Sequence, residues 1–133
     1  MSDRMRIGSG VVLVAAVVVL FLILRGGGSS DSGEGLTVNG KAVNGTPTIR
    51  LQDGEPVGGV ETFKVTSGDP VRFRVTSNIE GEVHVHGYDF EKPIKAGGSV
   101  SFNFPAKLEG GFEIELHHGG GENAIADLQV EPG

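Results

Sequence analysis

The sequence predicts an all-β domain, an antiparallel sandwich or barrel, carried behind a single N-terminal transmembrane helix. Three observations lead there. Short apolar–polar alternations recur between Gly, Pro and Asn turn signals from residue 36 onward, the spacing of a sandwich or barrel. Helical periodicity is hard to find in that part. Upstream, Val11 to Leu24 is an unbroken apolar run.

Extended by Ile7 to Gly10, the run gives an anchor over residues 7–25, at the short end of the roughly 20 apolar residues that span a bilayer. A secretory signal peptide is the rival reading. However, Leu22-Ile23-Leu24-Arg25-Gly26 has no small-x-small pattern before a cleavage point, and no cysteine is present to take a lipid. Arg4 and Arg6 precede the run and Arg25 alone follows it, before Asp31 and Glu34. Basic flanks stay in the cytoplasm. Residues 1–6 are therefore expected inside the cell, and the rest beyond the anchor as an extracytoplasmic part of a single-pass cell-membrane protein. Residues 26–35 are a Gly/Ser/Asp/Glu tether with nothing apolar to bury.

Residues 36–133 make the domain, long enough to fold without disulfides, which the absence of cysteine excludes. Strand-like runs lie at Thr48–Leu51, Val60–Val65, Val71–Thr76, Glu82–His86, Ser99–Phe104, Phe112–His117 and Ala124–Val130, with Leu36–Val43 as a further edge strand. Alternation assigns faces, because successive side chains on a strand point to opposite sides. Val71, Phe73 and Val75 oppose Arg72, Arg74 and Thr76. Val83 and Val85 oppose Glu82, His84 and His86, and Phe112, Ile114 and Leu116 oppose Glu113, Glu115 and His117. Ile125, Leu128 and Val130 do not alternate cleanly, which suggests a bulge near Asp127. Phe63, Phe73, Phe102, Phe104 and Phe112 are the expected core aromatics.

The formal net charge of the chain is −6, and the charges before residue 36 cancel, so the whole excess lies on the domain. Such a balance repels nucleic acid and anionic headgroups and favours cations or basic partners.

The four histidines fall in two pairs at the ends of two strand-like runs: His84 and His86, then His117 and His118. Imidazole is the commonest metal ligand. His84 and His86 project from one side of a strand with Cβ atoms roughly 7 Å apart. If the two strands are neighbours, Glu82, His84 and His86 meet Glu113, Glu115 and His117 on one surface, with nitrogen and carboxylate donors suited to Cu(II) or Zn(II). The plainer reading places Arg72 and Arg74 on that surface too, with the glutamates pairing to them across strands for about 0.2–1 kcal/mol each. Gly87-Tyr88-Asp89 reads as a turn in preference to a tyrosine serving the site.

From about Val60 to Val130 the chain resembles the cupredoxin-like domain family. The carriers are Val65-Thr66-Ser67-Gly68-Asp69-Pro70 with Val71 to Thr76, then His84-Val85-His86-Gly87-Tyr88-Asp89 and Ala96-Gly97-Gly98. Gly110-Gly111 with Phe112 to His117, and Leu128 to Pro132, complete the set. The resemblance implies a Greek-key β-sandwich with a metal site at one end, where two loops meet. One ligand would come from the His84/His86 segment and others from His117-His118-Gly119. Blue-copper members of the family use two histidines, a cysteine thiolate and a weak axial methionine. Here Leu116 or His117 stands about where the cysteine would be, and both methionines lie at the extreme N-terminus. The thiolate makes the redox-tuned site, so blue-copper electron transfer is excluded on ligand grounds. Histidine-only ligation remains open, with copper ahead of zinc in raw affinity.

The leading expectation is a membrane-tethered module binding Cu(II) or Zn(II) through His86 and His117, helped by His84 or His118. The alternative is a metal-free cell-surface protein-interaction module presenting Tyr88 and the loop ends. An enzyme is not expected: His84, His86, His117 and Glu115 could form a catalytic zinc site, but no nucleophile-and-base motif accompanies them. No helix opens after Gly119-Gly120-Gly121 to cradle phosphate.

Overall fold

The structure, a computed structural model, describes residues 35–133, in which every regular element is a strand. In chain order these are β1 (Thr37–Val38), β2 (Lys41–Ala42), β3 (Thr48–Gln52), β4 (Glu55–Pro56), β5 (Glu61–Thr66) and β6 (Pro70–Ser77). Then come β7 (Gly81–Val85), β8 (Phe90–Ile94), β9 (Gly98–Pro105), β10 (Gly110–His118) and β11 (Gly121–Glu131). The segments expected as cytoplasmic end, anchor and tether lie, apart from Gly35, outside the described residues.

One sheet runs β2-β1-β5-β11-β10-β7-β8 and the other β4-β3-β6-β9. Two pairings are parallel, β5 with β11 and β3 with β6. A purely antiparallel arrangement is thereby corrected: parallel neighbours need a crossing connection between non-consecutive strands. The expected edge strand at Leu36–Val43 is present as the β1–β2 hairpin at the rim of the larger sheet.

The inner faces of both sheets meet in one core. Phe63 of the larger sheet packs on Phe73 of the smaller at 5.8 Å between ring centres, and Phe73 stacks on Phe102 at 4.8 Å. Val71, Phe73, Val75, Val83, Val85, Ile114 and Leu116 are fully buried, as alternation requires. Burying each such side chain is worth about 1.5–3 kcal/mol. Phe112 is only partly buried. It lies under the Gly87 turn, where a Cβ would stand 2.5 Å from its ring. The bulge falls at Ile125, because Ile114 pairs with Ala126 and Glu115 with Ala124. This extra residue turns both Ile125 and Ala126 inward.

Two elements escape the sequence pattern. β4 has only two residues. β8 carries Pro93 and is exposed at four of its five positions. Proline is tolerated there because β8 is the sheet edge, where a missing N–H leaves no ladder bond unmade.

Arg72 and Arg74 do not share the surface that carries the histidines. β6 belongs to the smaller sheet, so both project from the opposite side of the sandwich, where Arg74 Nε donates to Ser101 Oγ at 3.4 Å. Identical alternation on strands of different sheets gives outer faces that never meet.

Candidate metal centre

The site is built by strand register. β7 and β10 are antiparallel neighbours that place His84 opposite Glu115 and Glu82 opposite His117. The His86 N–H donates to the Glu113 carbonyl, which continues the pairing by one step. On the flanks, β8 sets Glu91 opposite His84, while β11 sets Glu122 opposite His117 and Asp127 opposite Glu113. Side chains at directly paired positions share a face. The outer surface of four strands is therefore a chequerboard of imidazoles and carboxylates.

His84 is its centre. Its ring lies 5.7 Å from that of His86 and 5.2 Å from that of His117, edge-on to both. Glu115 lies beneath, with its residue only 7% exposed although it belongs to the solvent face. His117 Nε2 is 2.8 Å from Glu115 Oε2 and 3.4 Å from Glu122 Oε2. His84 Nδ1 is 4.0 Å from Glu115 Oε2, beyond hydrogen-bond reach, and this buried nitrogen has no hydrogen-bond partner. A buried polar atom left unmade is unfavourable by about 1–3 kcal/mol.

Charge is held in the same way. The hydrogen bond to Glu115 raises His117 above the ordinary imidazole value of 6.5, with burial opposing. The same bond holds Glu115 below the ordinary carboxylate value of 4.5, again against burial. Glu113 moves upward, chiefly through hydrogen bonding with the Glu115 carboxyl beside it. Among the described residues, no lysine or arginine comes within 4.0 Å of Glu82, Glu91, Glu113, Glu115, Glu122 or Asp127; the one such pair is Lys64 with Glu131, farther along the same sheet.

Three donor sets have ligand atoms within 4.8 Å of one another: His84 with His86 and Glu115; His84 with Glu91 and His117; and Glu115 with His117 and Glu122. Donors of one tetrahedral zinc stand about 3.4 Å apart, given bonds of about 2.1 Å, so small side-chain movements suffice to close each set. The donors are nitrogen and oxygen only, which fits Cu(II) or Zn(II). They do not fit a blue-copper ion, since the chain has no cysteine and its two methionines, Met1 and Met5, are outside residues 35–133.

Of the four histidines named from sequence, three converge. His118 does not. As the last residue of β10 it faces away from His117, and its Nε2 lies 3.2 Å from Asn123 Nδ2. That amide also donates to the Gly54 carbonyl at 3.1 Å, and a Cβ on Gly54 would stand 2.6 Å from His118 Nε2. His118 therefore helps tie the β3–β4 turn to the β10–β11 hairpin. His84 and His117 stand on neighbouring strands and His86 in the turn after β7, whereas the resemblance placed the ligands where two loops meet. Tyr88 takes no part: Gly87 and Asp89 both have positive φ, and the Tyr88 hydroxyl donates to the Leu108 carbonyl at 2.8 Å and accepts from its N–H.

Glu91 and Glu122 went unnoticed in the sequence. Glu91 sits on the strand disguised by Pro93. Glu122 was signalled by Gly119-Gly120: both have positive φ, so they form a two-residue turn that sets His118 opposite Gly121 and His117 opposite Glu122.

No family model and no curated protein matches the sequence. Solved structures do. A chain of a heme-copper terminal oxidase dimer superposes with a TM-score of 0.50 at 15% identity, covering 96% of this chain and 99% of that one. Lac15 from a marine microbial metagenome matches at TM-score 0.50 and 18% identity, over 66% of this chain and 33% of that one. The multicopper oxidase mgLAC matches at TM-score 0.48 and 21% identity. This chain spans 38% of the length of mgLAC, about two fifths. At such identities the likeness speaks for the fold and not for the site. With the two-sheet topology, the two likenesses at TM-score 0.50 give residues 35–133 a cupredoxin-like fold.

Proposed function

We propose that this chain is a membrane-tethered, extracytoplasmic cupredoxin-like module that captures a divalent metal ion, Cu(II) or Zn(II), and neither carries blue-copper electrons nor catalyses a reaction. The observation that carries the reading is the buried, unpartnered His84 Nδ1 facing Glu115 Oε2 across 4.0 Å. A cation held between them satisfies both atoms, and His86 and His117 stand on either side as further nitrogen donors. Copper is named in the description of the heme-copper terminal oxidase that this fold resembles, and the affinity order places Cu(II) ahead of Zn(II). Anchor and orientation rest on the apolar run over residues 7–25 and the basic residues before it.

The test is calorimetric titration of Cu(II) and Zn(II) into the full chain in detergent near neutral pH, beside a His84→Ala, Glu115→Gln variant. Submicromolar binding that disappears in the variant supports the reading. Binding that is weak, or equal in both proteins, overturns it.

A second reading, a metal-free interaction module, is favoured by the apolar end of the domain. Phe90 and Leu108 are 40% and 46% exposed beside Tyr88, and Phe90 packs on Phe104 at 4.9 Å. If metal fails to bind, this end is the place to look for a partner.

A further inference from the structure

We propose that the chequerboard holds two divalent ions sharing the carboxylate of Glu115: one on His84, His86 and Glu115, the other on Glu115, His117 and Glu122. The inference rests on the metal-binding reading and adds the number of ions and the division of ligands.

The first support is the partition of donors. The two sets have Glu115 in common and nothing else, and each is closed within 4.8 Å. A carboxylate has two oxygens and lone pairs enough for two cations. The rings of His84 and His117 are 5.2 Å apart, and both face Glu115 Oε2, His84 Nδ1 at 4.0 Å and His117 Nε2 at 2.8 Å. Carboxylate-bridged ions stand about 3.5–4 Å apart, a separation this spacing admits. The remaining set, His84 with Glu91 and His117, takes one ring from each of the others. It is the single-ion competitor.

Charge is the second support. Glu82, Glu91, Glu113, Glu115, Glu122 and Asp127 share the face, and among the described residues none has a lysine or arginine within 4.0 Å. One divalent ion leaves most of that negative charge unmatched, so a second is drawn to the same face, and the bridging carboxylate offsets the repulsion between the two.

A third support comes from the metal-free arrangement. His117 Nε2 faces Glu115 at 2.8 Å and Glu122 at 3.4 Å, so the donors of the second set already engage one another. At the first set nothing plays that part, because His84 Nδ1 has no partner. The two halves of the face thus differ before any metal arrives: one is held by hydrogen bonds and one is open. The open half should fill first.

The experiment is Cu(II) titration of the full chain followed by both calorimetry and electron paramagnetic resonance. The expected result is two Cu(II) per chain, with spectral intensity growing to one equivalent and falling as the second ion couples magnetically to the first. A half-field line should accompany the loss. His86→Ala and Glu122→Gln, both at exposed positions, should each lower the stoichiometry from two to one and restore a full uncoupled signal, whereas Glu91→Gln should leave both readouts unchanged. One uncoupled Cu(II) in the wild-type chain, removed by Glu91→Gln, overturns the two-ion inference and leaves the metal-binding reading intact. Two Cu(II) with full uncoupled intensity also overturn it, since the ions would then lie apart. Absence of binding overturns both.

Discussion

The two outer faces of the sandwich are built on the same alternation and carry opposite chemistry. On the smaller sheet, β3, β6 and β9 present Arg50, Arg72 and Arg74 among Thr48, Thr76, Ser99, Ser101 and Asn103, and among the described residues no carboxylate forms an ion pair with any of the three. On the larger sheet, the part of β7, β8, β10 and β11 around His84 presents His84 and His117, with His86 just past β7, among Glu82, Glu91, Glu113, Glu115, Glu122 and Asp127. Among the described residues none of these carboxylates has an arginine or lysine in pairing distance, and only Glu131 at the far end of β11 pairs with Lys64. A guanidinium keeps its charge at any physiological pH and has no lone pair for a metal. An imidazole beside a carboxylate can hold either a proton or an ion. The difference teaches that the folding pattern constrains only polarity on an outer face, and leaves its chemistry free to diverge. One face is a fixed charge and the other an exchangeable one.

The comparison breaks most completely at the core the faces share. Phe73 is fully buried between the sheets, and Phe73→Ala should destabilise the domain by about 3–5 kcal/mol, read by chemical denaturation. Both faces should be lost in one transition. Two separate transitions would show that the sheets do not depend on a common core.

A smaller loss is expected where a turn of one sheet touches a hairpin of the other. Gly54 has φ +88 and no room for a Cβ beside His118. Gly54→Ala should lower stability by about 1–3 kcal/mol through backbone strain and the displaced ring. An unchanged thermal midpoint would mean that the contact does not hold the β3–β4 turn.

The exchangeable face should reveal itself through pH in the metal-free chain. Glu115 is depressed on folding, so its contribution is present above about 4.5 and is lost as pH falls through its folded value. His117 is raised, so its contribution is complete below about 6.5 and is lost as pH rises through its folded value. Their bond is therefore fully formed only between those limits. Glu115→Gln should remove about 1 kcal/mol there, allowing for the partial exposure of His117, and progressively less above and below. A mutant–wild-type difference that stays flat from pH 4 to 8 would contradict this.

The smallest effect belongs to the fixed face. Arg72→Gln with Arg74→Gln should change stability by less than about 0.5 kcal/mol and leave metal affinity as it was. Weaker metal binding in that double variant would mean that the two faces communicate.

Much of this was legible in the residues. Alternation alone put Val83, Val85, Ile114 and Leu116 in the core and His84, His86, Glu115 and His117 on one side of their strands, because the period of a strand is two whatever its neighbours. The bulge was visible in the broken alternation at Ile125 to Leu128, within two residues of where it falls. β8 was not legible, since an edge strand exposed at most positions carries no apolar period, and with it Glu91 was hidden. Resemblance suggested loop ends for the donors; His86 does stand in the turn after β7, whereas His84, Glu115 and His117 stand on strands.

By itself, then, the sequence determined the strand faces, the absence of sulfur ligands and the acidic balance, all of which are local or compositional. Tertiary structure decided that β7 and β10 are neighbours, that the arginines lie on the far side, and that His118 turns away toward Gly54 and Asn123. Those depend on which strands pair and in what register. Such choices are set by long-range packing of two sheets around one core, and no window of consecutive residues contains them.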